Sequence, residues 1–213
     1  MQEENDRKEK ISARGRVNCH SRAAVLYYNS ISFLRGKAGL RQQVRVLGID
    51  PGYAIVGWGV VEYVGSRFAP VDFGAVTTDA GQPFEERLSA VYDGVCEVIH
   101  RTRPEVLAIE KLFYQHNQTT VIGVAEARGV ILLAAAQAGL PVYEYTPMQV
   151  KQAVTGYGKA VKKQVQEMTR ILLHLPAVPR PDDTADALAM AITFCHTSAN
   201  QLTRLTARGV GPI

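Results

Sequence analysis

Short runs of β-branched and apolar residues, separated by turn-forming residues, begin near Val44 and recur along the chain. This pattern is typical of β-strands that are buried on one or both faces. It predicts five strands, at Val44–Asp50, Ala54–Val64, Phe68–Thr77, Val106–Glu110 and Pro141–Tyr145. Gly65-Ser66 predicts a hairpin turn between the second and third strands.

Apolar residues at helical spacing lie between and after these strands. They predict helices at Phe84–Thr102, Thr119–Ala138, Met148–Val154, Val161–Leu173 and Thr184–Thr197. The order is three strands, then helix, strand, helix and strand, and finally helices. A strand meander followed by parallel additions predicts an α/β fold, in which helices flank a mixed five-stranded sheet.

The first 43 residues differ from the rest of the chain. Met1–Lys10 is a mixed charge run, which predicts a solvated and disordered segment. Ala23–Leu34 is mildly apolar but short, and it lacks the small-residue cleavage pattern of a secretory signal. We therefore expect a non-core extension at 1–43, a folded domain at 44–201 and a C-terminal tail at 202–213. No apolar run is long enough to predict a membrane span.

Charge is unevenly distributed along the 213 residues. Residues 1–45 hold ten Lys and Arg against four Asp and Glu, a net charge of +6, whereas residues 46–213 carry fourteen against sixteen, a net charge of −2. Bulk charge therefore does not predict nucleic-acid binding by the folded domain, and the case rests on local sites. Cys19, Cys96 and Cys195 are scattered without metal-ligand spacing, which favours thiols in a reducing compartment.

Four carboxylates stand at positions where chemistry can use them. Asp50 ends the first strand and Glu110 ends the fourth. If these strands are parallel, both acids lie at the carboxyl edge of the sheet, where open α/β sheets place their sites. Asp183 and Asp186 are three residues apart at the start of the last helix and so share one face. Oxygen ligands without His or Cys suit Mg²⁺ or Mn²⁺, and a pair of such ions can activate water for hydrolysis.

Each acid also has a purely structural alternative. Asp50 precedes Pro51-Gly52 and can shape a turn, and Glu110 can be a surface acid at a strand end. Asp182 or Asp183 can cap the last helix, and Asp186 can interact favourably with the dipole of that helix. Taken singly, these alternatives are as good as the functional one. Together, acids at the ends of apolar strands at one edge favour a site.

A basic, glycine-containing segment follows the fifth strand. Thr155–Lys163 reads TGYGKAVKK, and its Lys159, Lys162 and Lys163 suit a DNA backbone. A solvated surface cluster is the alternative, and the spacing does not match a Walker phosphate loop. The polar stretch after Glu110 holds Phe113, which either stacks on an unpaired base or packs into the core.

The ordered motifs resemble those of the RuvC Holliday junction resolvases. The residues that carry the resemblance are GIDPG at 48–52, AIE at 108–110, ARG at 127–129, QVKQ at 149–152, QVQ at 164–166, DTADALA at 183–189, AIT at 191–193 and Cys195-His196. Similarity spans about Val44 to Gln201, and it leaves the extension without a counterpart. The resemblance implies an RNase H-like fold and a homodimer that cuts two opposed strands of a four-way junction in recombination and DNA repair.

The resemblance also implies roles for individual residues. Asp50, Glu110, Asp183 and Asp186 would bind two Mg²⁺ ions, for which Mn²⁺ substitutes. Lys151 and Lys162 match basic residues near the scissile phosphate, with Lys162 in the catalytic set, and Phe113 matches a junction contact. The small-residue helix Thr119–Ala138 would form the dimer. The branch-migration proteins RuvA and RuvB are the implied partners, and the bacterial cytoplasm is the implied location.

Three alternatives predict other sequences. Actin-like sugar kinases and ATPases share the opening strand, acid and glycine turn, but they need a second phosphate-binding hairpin and a longer chain. The related RNase H-like group that acts on ribosomal RNA precursors is usually shorter and lacks a match to Lys151–Gln166. A catalytically silent junction-binding protein would have lost an acid, and this chain retains all four.

Overall fold

The structure of the chain, a computed structural model, describes residues 43–112 and 118–207. The strands are β1 (Gln43–Asp50), β2 (Ile55–Val64), β3 (Arg67–Thr77), β4 (Val106–Glu110) and β5 (Val142–Tyr145). The helices are α1 (Phe84–Thr102), α2 (Gln118–Gln137), α3 (Pro147–Thr155), α4 (Lys162–Leu172) and α5 (Asp182–Ala207). All ten predicted elements are present in the predicted order.

The strands form one mixed sheet in the order β3-β2-β1-β4-β5. β1 pairs antiparallel with β2, and β2 pairs antiparallel with β3. β1 pairs parallel with β4, and β4 pairs parallel with β5. The meander with parallel additions is therefore confirmed. Gly65 and Ser66 both have positive φ, at 52° and 74°, which suits the two-residue hairpin predicted between β2 and β3.

The last helix is longer than its apolar pattern indicates. α5 runs from Asp182 to Ala207, whereas the periodic residues predict Thr184–Thr197. Its sequence contains neither Gly nor Pro before Gly209, so nothing in the chain ends the helix earlier. The boundary predicted at residue 201 falls inside this helix. Residues 1–42 and 208–213 lie outside the described residues, and the extension therefore stays a prediction.

Two core layers cover the two faces of the sheet. The layer beneath α3, α4 and α5 includes Val46, Val61, Ala108, Leu188 and Ile192. The layer beneath α1 and α2 includes Leu47, Ile49, Leu107, Ile109 and Ile131. Successive residues of each strand alternate between the layers, as strand geometry requires.

Two smaller predictions concern the cysteines and the membrane. Cys96 and Cys195 lie buried, one in each core layer, while Cys19 is outside the described residues. Within the described ranges, no helix has the length and apolar character that crossing a bilayer requires.

Candidate active site

The parallel pairing of β1 and β4 brings two of the four acids together. Ile49 is opposite Ile109 in the ladder, and Asp50 and Glu110 are the next residues of the two strands. Strand alternation places Asp50 on the same side of the sheet as Gly48, which packs against α5. Both acids therefore end adjacent strands and face the helix that carries the other two.

Glycines on the sheet allow the first turns of α5 to approach closely. A Cβ on Gly57 would lie 2.0 Å from the carbonyl oxygen of Asp183, and one on Gly48 would lie 1.9 Å from the carbonyl oxygen of Ala187. Thr184, which is fully buried, donates a hydrogen bond of 3.1 Å to the carbonyl oxygen of Gly74 on β3. These backbone contacts determine where Asp183 and Asp186 lie relative to the strand ends.

The acids interact electrostatically as one cluster. Burial, together with the charges of Glu110, Asp186 and Asp183, raises the pKa of Asp50 to about 8. Burial and the charge of Asp186 raise the pKa of Glu110. Burial also raises the pKa of Asp186, although the neighbouring Lys162 opposes the shift. Such shared perturbation is typical of functional sites, because burial and like charges both disfavour ionisation.

Lys162 is the basic residue that joins this cluster. Its Nζ lies 2.9 Å from Oδ2 of Asp186 and 3.8 Å from Oδ2 of Asp182. The hydrogen bond to Asp186 is the largest cause of the raised pKa of Lys162. Lys162 begins α4, where the Val161 amide donates a hydrogen bond to the Gln164 side chain. The structure therefore places Lys162 beside the acids, and its role near the scissile phosphate stays a prediction.

The structure shows fewer contacts for the other predicted DNA-binding residues. Lys159 and Lys163 are exposed and Lys151 is half-buried on α3. Among the described residues, none of the three has a carboxylate within ion-pair distance. A capping box between Thr146 and Gln149 stabilises the start of α3. Phe113, with Tyr114 and His116, lies outside the described residues, so its DNA contact remains a prediction.

Arg128 is a site-related residue whose role the sequence patterns did not indicate. It lies on α2, and its Nε donates to the carbonyl oxygen of Glu110 at 3.3 Å. Its guanidinium also pairs with Glu144 on β5, and its side chain is only 13% exposed. Arg128 thus connects the carboxyl ends of β4 and β5. In the sequence, only the ARG and DTADALA motifs singled out Arg128 and Thr184, and Gly57 had no comparable signal.

The donor chemistry of the cluster suits a hard divalent cation. The negative charges of the four carboxylates repel one another. A hard divalent cation, which prefers oxygen ligands, would relieve this repulsion. Within the described ranges, however, no three Asp, Glu, His or Cys side chains are arranged so that they could hold a metal ion without moving. The side chain of Lys162 contributes a positive charge at Asp186 instead. The site fits a metal by its ligand type and charge.

The strand order, with acids on β1, β4 and the final helix, defines an RNase H-like nuclease. The family model described as crossover junction endodeoxyribonuclease RuvC matches residues 46–196. The chain belongs to the RuvC family of crossover junction endodeoxyribonucleases. The family membership inferred from the sequence motifs is thereby confirmed.

Individual relatives agree with this assignment. A crossover junction endodeoxyribonuclease RuvC from Caldanaerobacter subterraneus subsp. tengcongensis is 56% identical over 162 residues, which cover 76% of this chain and 98% of the relative. The Thermus thermophilus RuvC structure has a TM-score of 0.69 at 41% identity, covering 74% of this chain and 96% of that chain. T. thermophilus RuvC in complex with Holliday junction substrate has a TM-score of 0.71 at 40% identity, with the same coverage.

Proposed function

We propose that this protein is a metal-dependent endonuclease that resolves four-way DNA junctions by hydrolysing phosphodiester bonds. The observation that carries the proposal is the coupled cluster of Asp50, Glu110 and Asp186, with Asp183 beside them and Lys162 at its edge. The relative from T. thermophilus, solved with a Holliday junction substrate, supports the same substrate for this chain. The product is a pair of nicks that separates the joined duplexes in recombination and DNA repair.

The four acids are proposed to hold two Mg²⁺ ions, and Mn²⁺ would substitute because it prefers the same oxygen ligands. When bound, the ions lower the pKa of a coordinated water and neutralise the leaving oxygen. The strand-end acids provide rigid ligands, because β1 and β4 are paired up to the residue before each acid. Asp183 and Asp186 provide the other two ligands from the first turns of α5, which lies against the same face of the sheet.

Lys162 is proposed to stabilise negative charge at the scissile phosphate. Its side chain is 55% exposed, so the ammonium can turn from Asp186 toward bound DNA. A preorganised charge-stabilising group of this kind typically lowers the barrier by about 2.7–4 kcal/mol. Lys151, Lys159 and Lys163 would contact the DNA backbone, and Phe113 would contact the junction.

The active species is proposed to be a homodimer formed through α2. One face of this helix carries exposed Ile122, Gly129, Leu133 and Ala136, and a Cβ on Gly129 would meet open space within the protomer. A two-fold dimer also suits a substrate with near two-fold symmetry and two cuts. Light scattering should give about twice the chain mass of 23.3 kDa. Gly129→Leu should reduce that mass without lowering the melting temperature, and a strict monomer that makes paired cuts would contradict the proposal.

The decisive experiment separates cutting from binding. Asp50→Asn, Glu110→Gln, Asp183→Asn and Asp186→Asn keep side-chain size and each removes one negative charge. Each should lower the cleavage rate by orders of magnitude while junction binding survives, since phosphate contacts come from other residues. A four-way junction, a linear duplex and an RNA hybrid should be compared with and without Mg²⁺. If two or more variants cut at near wild-type rates, the metal centre is wrongly placed.

RuvA and RuvB are proposed partners, and the bacterial sources of the relatives favour a cytoplasmic location. A truncated chain beginning at Gln43 should fold and cut, because β1 begins there. Its binding should depend less steeply on salt if the net charge of the first residues contacts DNA. Loss of cutting by a folded, dimeric truncated chain would assign the extension to the active machinery.

A further inference from the structure

The ammonium of Lys162 is shared between two acids of different kinds. Its Nζ is 2.9 Å from Asp186, which belongs to the proposed metal ligands. It is also 3.8 Å from Asp182, which is not one of the four acids and which pairs with Arg180 as well. Lys162 therefore lies between the metal centre and an acid just outside it.

A divalent cation and this ammonium compete for Asp186. A Mg²⁺ ion would approach a carboxylate oxygen to roughly 2.0–2.1 Å, closer than the ammonium now lies. With both on one carboxylate, charges of +1 and +2 would stand a few ångströms apart, where their repulsion is strong. This repulsion favours separation of Lys162 Nζ from Asp186 when a metal binds.

Asp182 provides the alternative position for the ammonium. The side chains of Lys162 and Asp182 are 55% and 39% exposed, whereas that of Asp186 is 25% exposed. Movement toward Asp182 carries the ammonium of Lys162 from the more buried acid to the more exposed one, and the Lys162 side chain is itself exposed to solvent. The two acids are on the same first turns of α5, so the ammonium stays beside the centre throughout.

We infer that Lys162 is the counter-ion of Asp186 in the metal-free enzyme, and that metal binding transfers its ammonium to Asp182. The inference rests on the proposed function, in which Asp186 is a metal ligand. Lys162 then lowers the affinity of the free enzyme for metal, and Asp182 acts as a positioning residue that retains Lys162 near the scissile phosphate.

The test measures metal affinity without DNA. Mn²⁺ binding to the full chain is followed by the electron paramagnetic resonance signal of the free ion, for wild type and Lys162→Met. Because exposed ion pairs are weak, the Kd should fall by a factor of about 1.5 to 5. Lys163→Met is the matched control, since Lys163 is adjacent and exposed but pairs with no carboxylate among the described residues. It should change the Kd by less than about 1.5-fold.

Asp182→Asn tests the second position of the ammonium. It should raise the Kd by about twofold in wild type, because Lys162 then remains on Asp186. In the Lys162→Met background the same change should have a clearly smaller effect, and the double-mutant cycle isolates this coupling. NMR of wild-type protein with ¹³C-labelled lysine is a second measurement, and its result does not depend on whether a variant folds correctly. The Lys162 side-chain signal should shift during a Mg²⁺ titration with the midpoint of metal binding.

The outcomes separate this inference from the proposed function. Equal Mn²⁺ affinities for wild type and Lys162→Met, equal effects of Lys162→Met and Lys163→Met, or a Lys162 signal that does not respond to Mg²⁺ would each overturn the inference alone. Absence of Mn²⁺ binding in every variant would overturn it together with the proposed metal centre.

Discussion

The two faces of the sheet are packed by different means. Against α5, the strands present glycines, so that the helix backbone touches the sheet backbone at Gly48 and Gly57. Against α1 and α2, they present large aliphatic side chains such as Leu47 and Ile49, which are fully buried. All four acids are on the α5 face. The face with the backbone contacts carries the chemistry, although its core layer also buries side chains such as Val46 and Leu188.

This difference has an energetic meaning. A layer of large side chains loses stability in proportion to the volume removed, and it relaxes around small changes. A helix lying directly on strand backbone has no side chain that can give way, so an added methyl group must displace the helix itself. Substitutions on the α5 face should therefore mainly lower activity, and substitutions on the opposite face should mainly lower stability.

The largest effect is expected from Gly57→Ala. The new Cβ would lie 2.0 Å from the Asp183 carbonyl oxygen and 2.8 Å from the Asp183 Cβ, so the first turn of α5 must move. Displacing a reacting group by about 1 Å can cost roughly 100-fold in rate, and cleavage of a junction should fall by at least about that factor. The measurement is single-turnover cleavage beside a junction-binding assay.

Gly94→Ala is the matched control on the opposite face. The three nearest atoms to a Cβ there all belong to the Val76 side chain: its two methyl groups, each at 2.8 Å, and its Cβ at 3.4 Å. Cleavage should stay within about twofold of wild type, since the disturbed packing is remote from the acids. Equal losses from the two glycine variants would remove the distinction between the faces.

Ile131→Ala should affect stability more than chemistry. Ile131 belongs to α2 and is fully buried in the core layer that α1 and α2 form with the sheet. Truncating such a residue typically costs about 2–5 kcal/mol in the free energy of unfolding. Urea denaturation measures this loss. At a temperature where the variant is fully folded, its cleavage rate should remain near that of wild type. A large loss of rate in the folded variant would show that this face also positions the acids.

The acids should make the metal-free protein less stable as the pH rises. Burial and neighbouring charges raise the pKa of Asp50 to about 8, so between about pH 4 and pH 8 the folded protein retains a proton that the unfolded chain has released. The free energy of unfolding should therefore fall across this window, by up to about 1.4 kcal/mol per pH unit. Thermal melts in EDTA at pH 5 to 8 measure it.

Asp50→Asn is the control for this pH dependence. It removes the titrating group, so its melting temperature should vary less over the same range, and at pH 8 it should exceed that of wild type in EDTA. Saturating Mg²⁺ should restore the melting temperature of the wild-type protein at high pH, because the metal would bind the ionised carboxylates. An identical pH slope for Asp50→Asn and wild type would contradict the assignment.

Arg128→Gln tests the connection between the faces. Arg128 belongs to α2 but holds the Glu110 carbonyl oxygen and the Glu144 carboxylate. Its loss should destabilise the protein by about 1–3 kcal/mol and lower cleavage by about tenfold, because the end of β4 is less firmly held. Glu144→Gln keeps the contact to Glu110 and should lower cleavage much less. Equal effects would show that the ion pair, and not the carbonyl contact, positions Glu110.

The sequence by itself determined the strands, their order and the acids at the ends of β1 and β4. These are local properties, because the alternation of a strand and the periodicity of a helix can be read within a few residues. α1 and β4 begin and end at the predicted residues, since Pro104 and the surrounding polar residues mark their limits. The family motifs added the functional grouping of the four acids.

The tertiary structure alone decided which distant residues touch. The approach of Gly57 to Asp183, the contact of Arg128 with the Glu110 carbonyl oxygen and the sharing of Lys162 between Asp186 and Asp182 all join separate elements. No local periodicity encodes such contacts, because they depend on how closely each helix lies against the sheet. That distance follows from the summed shape of both packed surfaces, and only the folded chain brings those surfaces together.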